Sequence, residues 1–261
     1  ELGVSDYISR PFDARVVFQR VFNTIKLYAK QRRLIRLVTN QIYEKEKNNR
    51  IMVAILSQIV EFRNGESGLH VSHINQLTNL LLERLVQKTK QYHFSRADRE
   101  LIATASALHD IGKIGIPDRI LNKPEKLTDE EYGIMKSHVT KGAEILKSFT
   151  IVDHVEEGAL YHHERYDGKG YVHGLKGEEI PINARIIGIA DTFDAMTANR
   201  VYRKQLDMAY VIQELKNGRG TQFDPGLVDV MLGLIDNGKI DICSLYKEHA
   251  HADHSREKEE E

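Results

Sequence analysis

The sequence predicts an all-α protein. Apolar residues recur with helical spacing along most of the chain, and the alternation that marks half-buried strands is scarce. Residues that cap helices precede several of these apolar segments. The chain has 261 residues, of which 41% are hydrophobic, and a chain of this size buries on the order of 70% of its unfolded surface. We therefore expect a helical bundle from about residue 50 to 245.

The N-terminal part of the sequence is typical of a short strand followed by one long helix. Residues 4–9 favour a strand, and Asp13 is a suitable N-cap for a helix over about residues 14–47. A stripe with a period near 3.5 residues comprises Val17, Val21, Ile25, Tyr28, Ile35, Val38 and Ile42. Two interpretations stay open: an amphipathic helix packed on its own domain, or a parallel dimer helix, which a length of roughly 50 Å would favour. The polar run 44–50 is a candidate boundary.

The remaining helices are indicated by apolar stripes or by capping residues. Stripes predict helices near 51–62 and 74–85. Capping residues predict helices opened by Ser95 and Asp98 up to Leu108, by Thr128 and Glu131 up to about Lys147, by Asp153 and Glu156 up to His163, by Pro181 up to Asn199, and by Asp224 and Pro225 up to about Gly238. Residues 246–261 are charged, so we expect a disordered tail.

Composition and charge exclude several classes of function. Lys and Arg total 37 against 38 Asp and Glu, for a net charge of −1, which argues against a polymeric nucleic acid as partner. The sequence contains no apolar run near the roughly 20 residues of a membrane span. Cys243 is the single cysteine, and this suits a reducing compartment. We expect a cytoplasmic protein without nucleic-acid or membrane partners.

Twelve histidines are the unusual feature of the composition, and several lie with acidic residues in apolar helices. Burying ionisable groups is costly unless their charges are compensated, and a metal bound by imidazoles and carboxylates provides that compensation. The candidate ligands are Glu66, His70, His109, Asp110, His138, His162, His163 and Asp191. One octahedral ion takes about six ligands, so this set indicates two or three ions. Ligands of this type, without thiolates, favour Fe, Mn, Zn or Ni.

Spacing strengthens some of these candidates. Glu66 and His70 share one face if their segment is helical, and Lys113 shares a face with His109 and Asp110 on a continuing helical turn. His138 is predicted in the middle of a helix. The alternative is that some histidines cap helices or satisfy the core. The histidines that do not belong to this set of histidines and carboxylates are expected on the surface. They are His73, His93, His154, His173 and the three in the tail.

Four motifs, in this order, resemble those of the HD-GYP family of cyclic dinucleotide phosphodiesterases. They are His109-Asp110-Ile111-Gly112-Lys113 and the segments 162–171, 180–186 and 191–203. The resemblance implies an HD-superfamily five-helix core with additional helices, preceded by the long linker helix. It also implies a centre of two or three divalent ions, iron or manganese, and hydrolysis of cyclic di-GMP to the linear dinucleotide or GMP.

The sequence departs from the family pattern at Val172, where the family has the proline of Gly-Tyr-Pro. Proline fixes φ and restricts the residue before it, so we expect a more mobile loop here but no lost ligand. Residues 3–13 resemble the end of a response-regulator receiver domain, with Arg10 in place of its lysine. We therefore predict a receiver-like remnant (1–12), a linker helix (13–50), an HD-GYP catalytic domain (51–245) and the tail (246–261), as a fragment of a two-component signalling protein.

The resemblance supports roles for individual residues. Asp110 is predicted as the bridging carboxylate, and Lys113 as the catalytic cation that holds a phosphate oxygen. Arg200 and Arg203 are predicted to bind the second phosphate or a guanine edge, with surface ion pairing as the alternative. Tyr171 offers a ring or a hydroxyl to the substrate. Asp194 is predicted to orient a ligand histidine.

Two other functions stay open. One is an HD phosphohydrolase that acts on mononucleotides or on another cyclic dinucleotide, such as cyclic GMP–AMP. The other is a catalytically weak module that binds a ligand or a partner protein. Retention of the full ligand set with Lys113 argues against the binding module.

Overall fold

The protein is predominantly helical in the part of the chain that the structure describes. This computed structural model describes residues 13–64, 69–88, 92–148, 155–198 and 205–240. The helices are α1 (Ala14–Arg63), α2 (His70–Lys88), α3 (Arg96–Leu108), α4 (Asp118–Leu121), α5 (Asp129–Lys136), α6 (His138–Ser148), α7 (Val155–Tyr161), α8 (Ile182–Thr197), α9 (Met208–Gly218) and α10 (Pro225–Asp236), with 3₁₀ helices at Ile111–Gly115 and Gly177–Glu179. The described ranges contain no β-strand, and the all-α prediction is confirmed. The predictions for residues 1–12 and 246–261 lie outside the described residues.

The polar run 44–50 does not interrupt the first helix, so the predicted end near residue 47 is wrong. The run is rich in glutamate and lysine, which are good helix formers, and α1 passes through it to Arg63. By its internal contacts the chain divides into two compact units after Ile51. Within the first unit, apolar side chains of α1 such as Phe18 and Ile35 are exposed. None of the described helices is long and apolar enough to cross a membrane.

Five helices of the second unit pack on one another. The helix α3 contacts α2 and α7, and α8 contacts the same two helices, while α6 packs against α7 and the first 3₁₀ helix. The predicted stripe of α2 lies in the core, where Ile74, Leu77, Leu81 and Leu85 are at most 2% exposed and pack with Phe193 of α8. These five helices agree with the expected five-helix core, and α9 and α10 add buried side chains to the same apolar cluster.

Capping residues fix where two of these helices start. Ser95 and Asp98 form a reciprocal capping box at the start of α3, and Thr128 and Glu131 form another at the start of α5. The helix predicted from Thr128 to Lys147 is divided, however, because α5 ends at Lys136 with Ser137 as its C-cap. His138 is consequently the first residue of α6 and does not lie in the middle of a helix.

A close backbone approach joins the first 3₁₀ helix to α6. A Cβ on Gly112 would lie 1.9 Å from the carbonyl oxygen of His138 and 2.4 Å from the amide nitrogen of Gly142. Only glycine fits at this distance. The contact brings the chain that follows His109 and Asp110 against the start of α6, and so places His138 beside that pair.

Candidate metal centre

The predicted ligands that the structure describes lie on the five core helices or directly after them, and they meet in one region of the second unit. His70 begins α2, His109 is the C-cap of α3 with Asp110 after it, His138 begins α6, His162 and His163 follow the last residue of α7, and Asp191 lies in α8. Most of these side chains therefore sit at helix ends, which converge on one region of the second unit. Glu66 lies outside the described residues.

The ligand atoms form two groups. In one group, atoms of His70, His109 and Asp110 all lie within 4.8 Å of one another. In the other, atoms of His138, His162 and His163 meet the same limit. Each group has the composition and spacing of a site that can hold a metal ion with nitrogen and oxygen ligands.

The Asp110 carboxylate lies between the two groups. Its Oδ2 is 3.3 Å from His109 Nε2, and its Oδ1 is 3.3 Å from His138 Nε2 and 4.0 Å from His162 Nε2. Oδ2 is also 2.8 Å from Lys113 Nζ. The two oxygens of one carboxylate thus face different sets of imidazole nitrogens, which is the arrangement of a bridging ligand.

Backbone carbonyls orient three of the rings. The Nδ1 atoms of His109, His138 and His162 lie 2.7, 2.8 and 3.0 Å from the carbonyl oxygens of Ser106, Met135 and Ala159. A carbonyl only accepts, so each Nδ1 donates and each Nε2 carries a lone pair. These Nε2 atoms and Asp110 Oδ1 are buried, without a hydrogen-bond partner among the described residues. Such orphaned acceptors are costly, and a metal ion in each group would satisfy them.

The electrostatics keep these groups in the form that binds metal. Burial lowers the pKa of His138, lowers that of His162 well below its usual value, and lowers that of His163 to about 4. Burial opposes ionisation of Asp110, but the Lys113 and His109 charges outweigh it and hold the pKa of Asp110 well below its usual range. At neutral pH His138, His162 and His163 are therefore neutral and Asp110 is charged, as metal ligation requires. Burial also opposes the charge on His109, but the neighbouring Asp110 carboxylate outweighs it and raises the pKa of His109.

The Asp194 carboxylate of α8 contacts the Nδ1 atoms of two histidines of α2. Its Oδ2 is 2.7 Å from His70 Nδ1, and its Oδ1 is 3.0 Å from His73 Nδ1. Burial raises the pKa of Asp194, but hydrogen bonds from both rings outweigh burial and lower it to about 2. His73 is only 2% exposed, so its predicted surface position is wrong. Its spacing of three residues from His70 could have indicated its burial, because this spacing places both rings on one helix face.

The remaining predicted ligands differ in their placement. Asp191 Oδ1 lies 3.4 Å from His70 Nε2, at the edge of the first group. The predicted i,i+4 pairing of Glu66 with His70 lies outside the described residues, which resume at Leu69, just before α2 begins at His70. His93 and His173 are exposed, as predicted.

A cavity of about 300 Å³ opens beside the second group, and its lining includes His162, His163 and Tyr171. The rings of His163 and Tyr171 lie 4.9 Å apart. Lys169 and Arg185 also line the cavity, where Arg185 is paired with Asp224 at 2.6 Å between Nη1 and Oδ2. The volume is at the lower end of the range for ligand sites. Arg200 and Arg203 lie outside the described residues.

The loop that carries Tyr171 is held by Glu164. Its Oε1 accepts hydrogen bonds from the backbone N–H groups of His173 and Gly174, at 2.7 and 3.0 Å. Gly168 and Gly174 have positive φ values of 79° and 69°, a conformation that favours glycine. The glycine-rich sequence therefore makes the tight loop that forms one side of the cavity.

Comparison with known proteins identifies relatives that cover most of this chain. The cyclic di-GMP phosphodiesterase response regulator RpfG of Xanthomonas campestris pv. campestris is 37% identical over 243 residues, which cover 89% of this chain and 62% of that protein. The 3'3'-cGAMP-specific phosphodiesterase 2 of Vibrio cholerae is 38% identical over 195 residues, 74% of this chain and 36% of that protein. The chain thus spans under two thirds of the length of these relatives.

The fold has a counterpart among solved structures. The crystal structure of a cyclic GMP-AMP specific phosphodiesterase of V. cholerae, V-cGAP3, aligns with a TM-score of 0.55 and 18% identity, over 74% of this chain and 50% of that chain. The HD domain family matches residues 67–227, the range that contains every described candidate ligand. The chain therefore belongs to the HD domain family, as its HD-GYP motifs indicate.

Proposed function

We propose that this protein is a metal-dependent phosphodiesterase that hydrolyses cyclic di-GMP to the linear dinucleotide or GMP. The observation that carries the proposal is the Asp110 carboxylate, whose two oxygens face two separate groups of imidazole nitrogens. A cavity of about 300 Å³ lies beside the second group, and we propose that it receives one nucleotide of the substrate. The names of the curated relatives, which include a cyclic di-GMP phosphodiesterase, support the same reaction.

The ligand set fits two divalent ions, and we propose iron or manganese. His70, His109 and Asp191 would hold one ion, His138, His162 and His163 the other, and Asp110 would bridge them. When bound, such a pair lowers the pKa of a water molecule and stabilises charge on the phosphate. We further propose that Glu66, with His70, holds a third ion.

The chain's own residues would bind and orient the substrate. Lys113 Nζ lies at the edge of the centre, 2.8 Å from Asp110 Oδ2, where it can hold a non-bridging phosphate oxygen as a point charge. Tyr171 lies against His163, and we propose that it offers its ring or its hydroxyl to the substrate. Arg200 and Arg203 are proposed to bind the second phosphate or a guanine edge.

A second candidate substrate is 3'3'-cyclic GMP–AMP, because the V. cholerae relative named for that substrate is as similar in sequence as RpfG. Both molecules carry two phosphodiesters and at least one guanine, so the same metal centre suits either. Mononucleotide hydrolysis and a purely ligand-binding role are the remaining alternatives.

The test combines metal analysis with product analysis. Protein purified without oxygen is assayed for bound metals, and is then incubated with cyclic di-GMP, 3'3'-cyclic GMP–AMP, cyclic di-AMP and mononucleotides. We expect about two or three ions per chain and a linear dinucleotide or GMP from cyclic di-GMP. Cleavage of mononucleotides alone would contradict the proposed substrate, and metal binding without turnover would support the binding module.

We also propose that α1 is a dimer helix and that residues 1–12 belong to a receiver-like domain in a cytoplasmic signalling protein. The exposed apolar side chains of the first unit support the dimer, since residues such as Ile25, Ile35 and Ile42 are more than half exposed. The name of the Xanthomonas relative, a response regulator, supports the link to two-component signalling.

A further inference from the structure

Arg63 makes an unusual set of contacts with the backbone that follows the HD motif. It is the last residue of α1. Its Nη1 donates to the carbonyl oxygens of Lys113 and Ile114 at 3.0 and 2.6 Å, and its Nη2 donates to that of Ile116 at 2.7 Å. The guanidinium also forms an ion pair with Asp118, with Nη2 to Oδ1 at 2.9 Å. One side chain therefore holds three carbonyls of the same short segment.

A second cation completes this arrangement. Lys141 Nζ donates to the carbonyl oxygen of Gly115 at 2.9 Å, so the four consecutive carbonyls of residues 113–116 each accept from a charged side chain. These groups lie at the end of the 3₁₀ helix Ile111–Gly115, where carbonyls carry partial negative charge. The Lys113 carbonyl also accepts from the backbone N–H of Ile116 at 3.0 Å. Arg63 is held in turn, because Asn122 Nδ2 donates to its carbonyl oxygen at 3.1 Å.

These contacts determine the position of Lys113. Its N–H donates to the carbonyl oxygen of Asp110 at 2.9 Å, and its own carbonyl is held by Arg63 on the other side. With the backbone fixed at both ends, the side chain places Nζ 2.8 Å from Asp110 Oδ2. Loosening the segment would shift Nζ relative to the centre, and a misplacement of about 1 Å can reduce a rate by about 100-fold.

We propose that Arg63 is a positioning residue, which holds Lys113 in place relative to Asp110 through the carbonyls of residues 113–116. The inference rests on the proposed function, since Lys113 matters only if a phosphate binds there. Arginine is required because its planar fork presents several donors in fixed directions, whereas a lysine is a single point charge on a flexible stem.

The experiment is a double-mutant cycle between Arg63→Ala and Lys113→Ala, with kcat/KM for cyclic di-GMP as the readout. If Arg63 acts through Lys113, each single variant loses about 10- to 100-fold, and Arg63→Ala costs less than about threefold in the Lys113→Ala background. Arg63→Lys should recover only part of the loss. The matched control is Arg96→Ala, which removes an exposed arginine paired with Glu100 on α3 and should leave kcat/KM unchanged.

A second readout separates positioning from folding. Amide hydrogen exchange in Arg63→Ala should accelerate in residues 111–116 while α2, α8 and α10 keep their protection, and bound metal should stay at the wild-type level. Hydrogen exchange that accelerates throughout the protein would overturn the inference. So would a double variant whose loss of kcat/KM equals the product of the losses in the two single variants.

The cycle is repeated with bis(p-nitrophenyl) phosphate, a phosphodiester reporter without bases. If the wild type cleaves this reporter but no cyclic dinucleotide, the proposed substrate fails while the cycle still tests Arg63. If the wild type cleaves cyclic di-GMP and the losses add, the function stands and the positioning role is wrong.

Discussion

The Asp110 carboxylate lies between two groups of buried histidine rings, and its surroundings determine both its charge and its direction. Lys113 and His109 keep it ionised despite its burial. Its backbone is fixed because it follows the C-cap of α3 and precedes the 3₁₀ helix. A carboxylate held in this way provides an oxygen to each group without moving, which a neutral amide of the same shape would not do equally well.

Replacing Asp110 tests this arrangement directly. Asp110→Asn keeps the volume but removes the charge that both groups share, and Asp110→Ala removes the oxygens as well. We expect both variants to lose turnover by more than about 100-fold and most of their bound metal, with unchanged helical circular dichroism. Asp229→Asn, which alters an exposed pair with Arg219, is the control. Normal metal content and a normal rate in Asp110→Asn would remove Asp110 from the site.

Glu66 determines the prediction for a third ion. If it binds metal together with His70, Glu66→Gln should lower the metal content by about one ion per chain and slow turnover, while the ions held by the two described groups persist. Metal analysis of the variant beside the wild type measures this. An anomalous-scattering map with two ions and Glu66 directed to solvent would contradict the third site.

Some site residues could be predicted from the sequence and others could not, depending on whether their interaction partners are close to them in the sequence. His109, Asp110 and Lys113 are close in sequence, so their spacing was informative. His73 was assigned to the surface because its partner, Asp194, is on another helix, although its spacing from His70 was a usable signal. Nothing in the sequence indicated a role for Arg63. Its partners are mostly main-chain carbonyls, and every residue has one, so the residue types at these positions give no indication of the contact.

At the scale of elements, the site depends on how closely the 3₁₀ helix Ile111–Gly115 approaches α6. Capping residues made the starts of α3 and α5 predictable, because a side chain and a backbone N–H three residues later form the cap locally. The end of α5 at Lys136 was not predictable, since neither glycine nor proline marks it. The approach of Gly112 to His138 is a tertiary contact, and only the fold reveals it.

Two glycine-to-alanine variants test the close contact between the 3₁₀ helix and α6. Gly112→Ala places a Cβ against backbone atoms of His138 and Gly142 that cannot move aside, so we expect a loss of stability of about 1–3 kcal/mol and weaker metal binding. Gly133→Ala adds a methyl group in α5 with nothing within 4 Å, and should raise stability by about 0.5–1 kcal/mol. Chemical denaturation measures both. Equal stability of the two variants would mean that the contact does not constrain the site.

At the scale of the whole molecule, the helix α1 belongs to both compact units. Its last turns carry side chains that the second unit uses. Ser57 Oγ donates to the carbonyl oxygen of Ala107 at 2.7 Å, Glu61 accepts from the N–H of Val71 at 2.7 Å, and Arg63 holds the segment after Lys113. The rest of α1 has mostly exposed apolar side chains. One continuous helix therefore combines a mostly exposed apolar stripe with contacts close to the candidate metal centre.

Truncations at two positions separate these parts of α1. Removing residues 1–45 deletes most of the apolar stripe but keeps Ser57 and Arg63, so we expect a monomer that still hydrolyses substrate, whereas the full chain is a dimer at micromolar concentration. Removing residues 1–63 also deletes the contacts with Ala107 and with the carbonyls of residues 113–116, and should abolish turnover and lower the melting temperature. Light scattering gives the oligomeric state and product formation gives the rate. A full chain that is monomeric at micromolar concentration would exclude the dimer helix, and full activity after removal of residues 1–63 would exclude any role of α1 in the site.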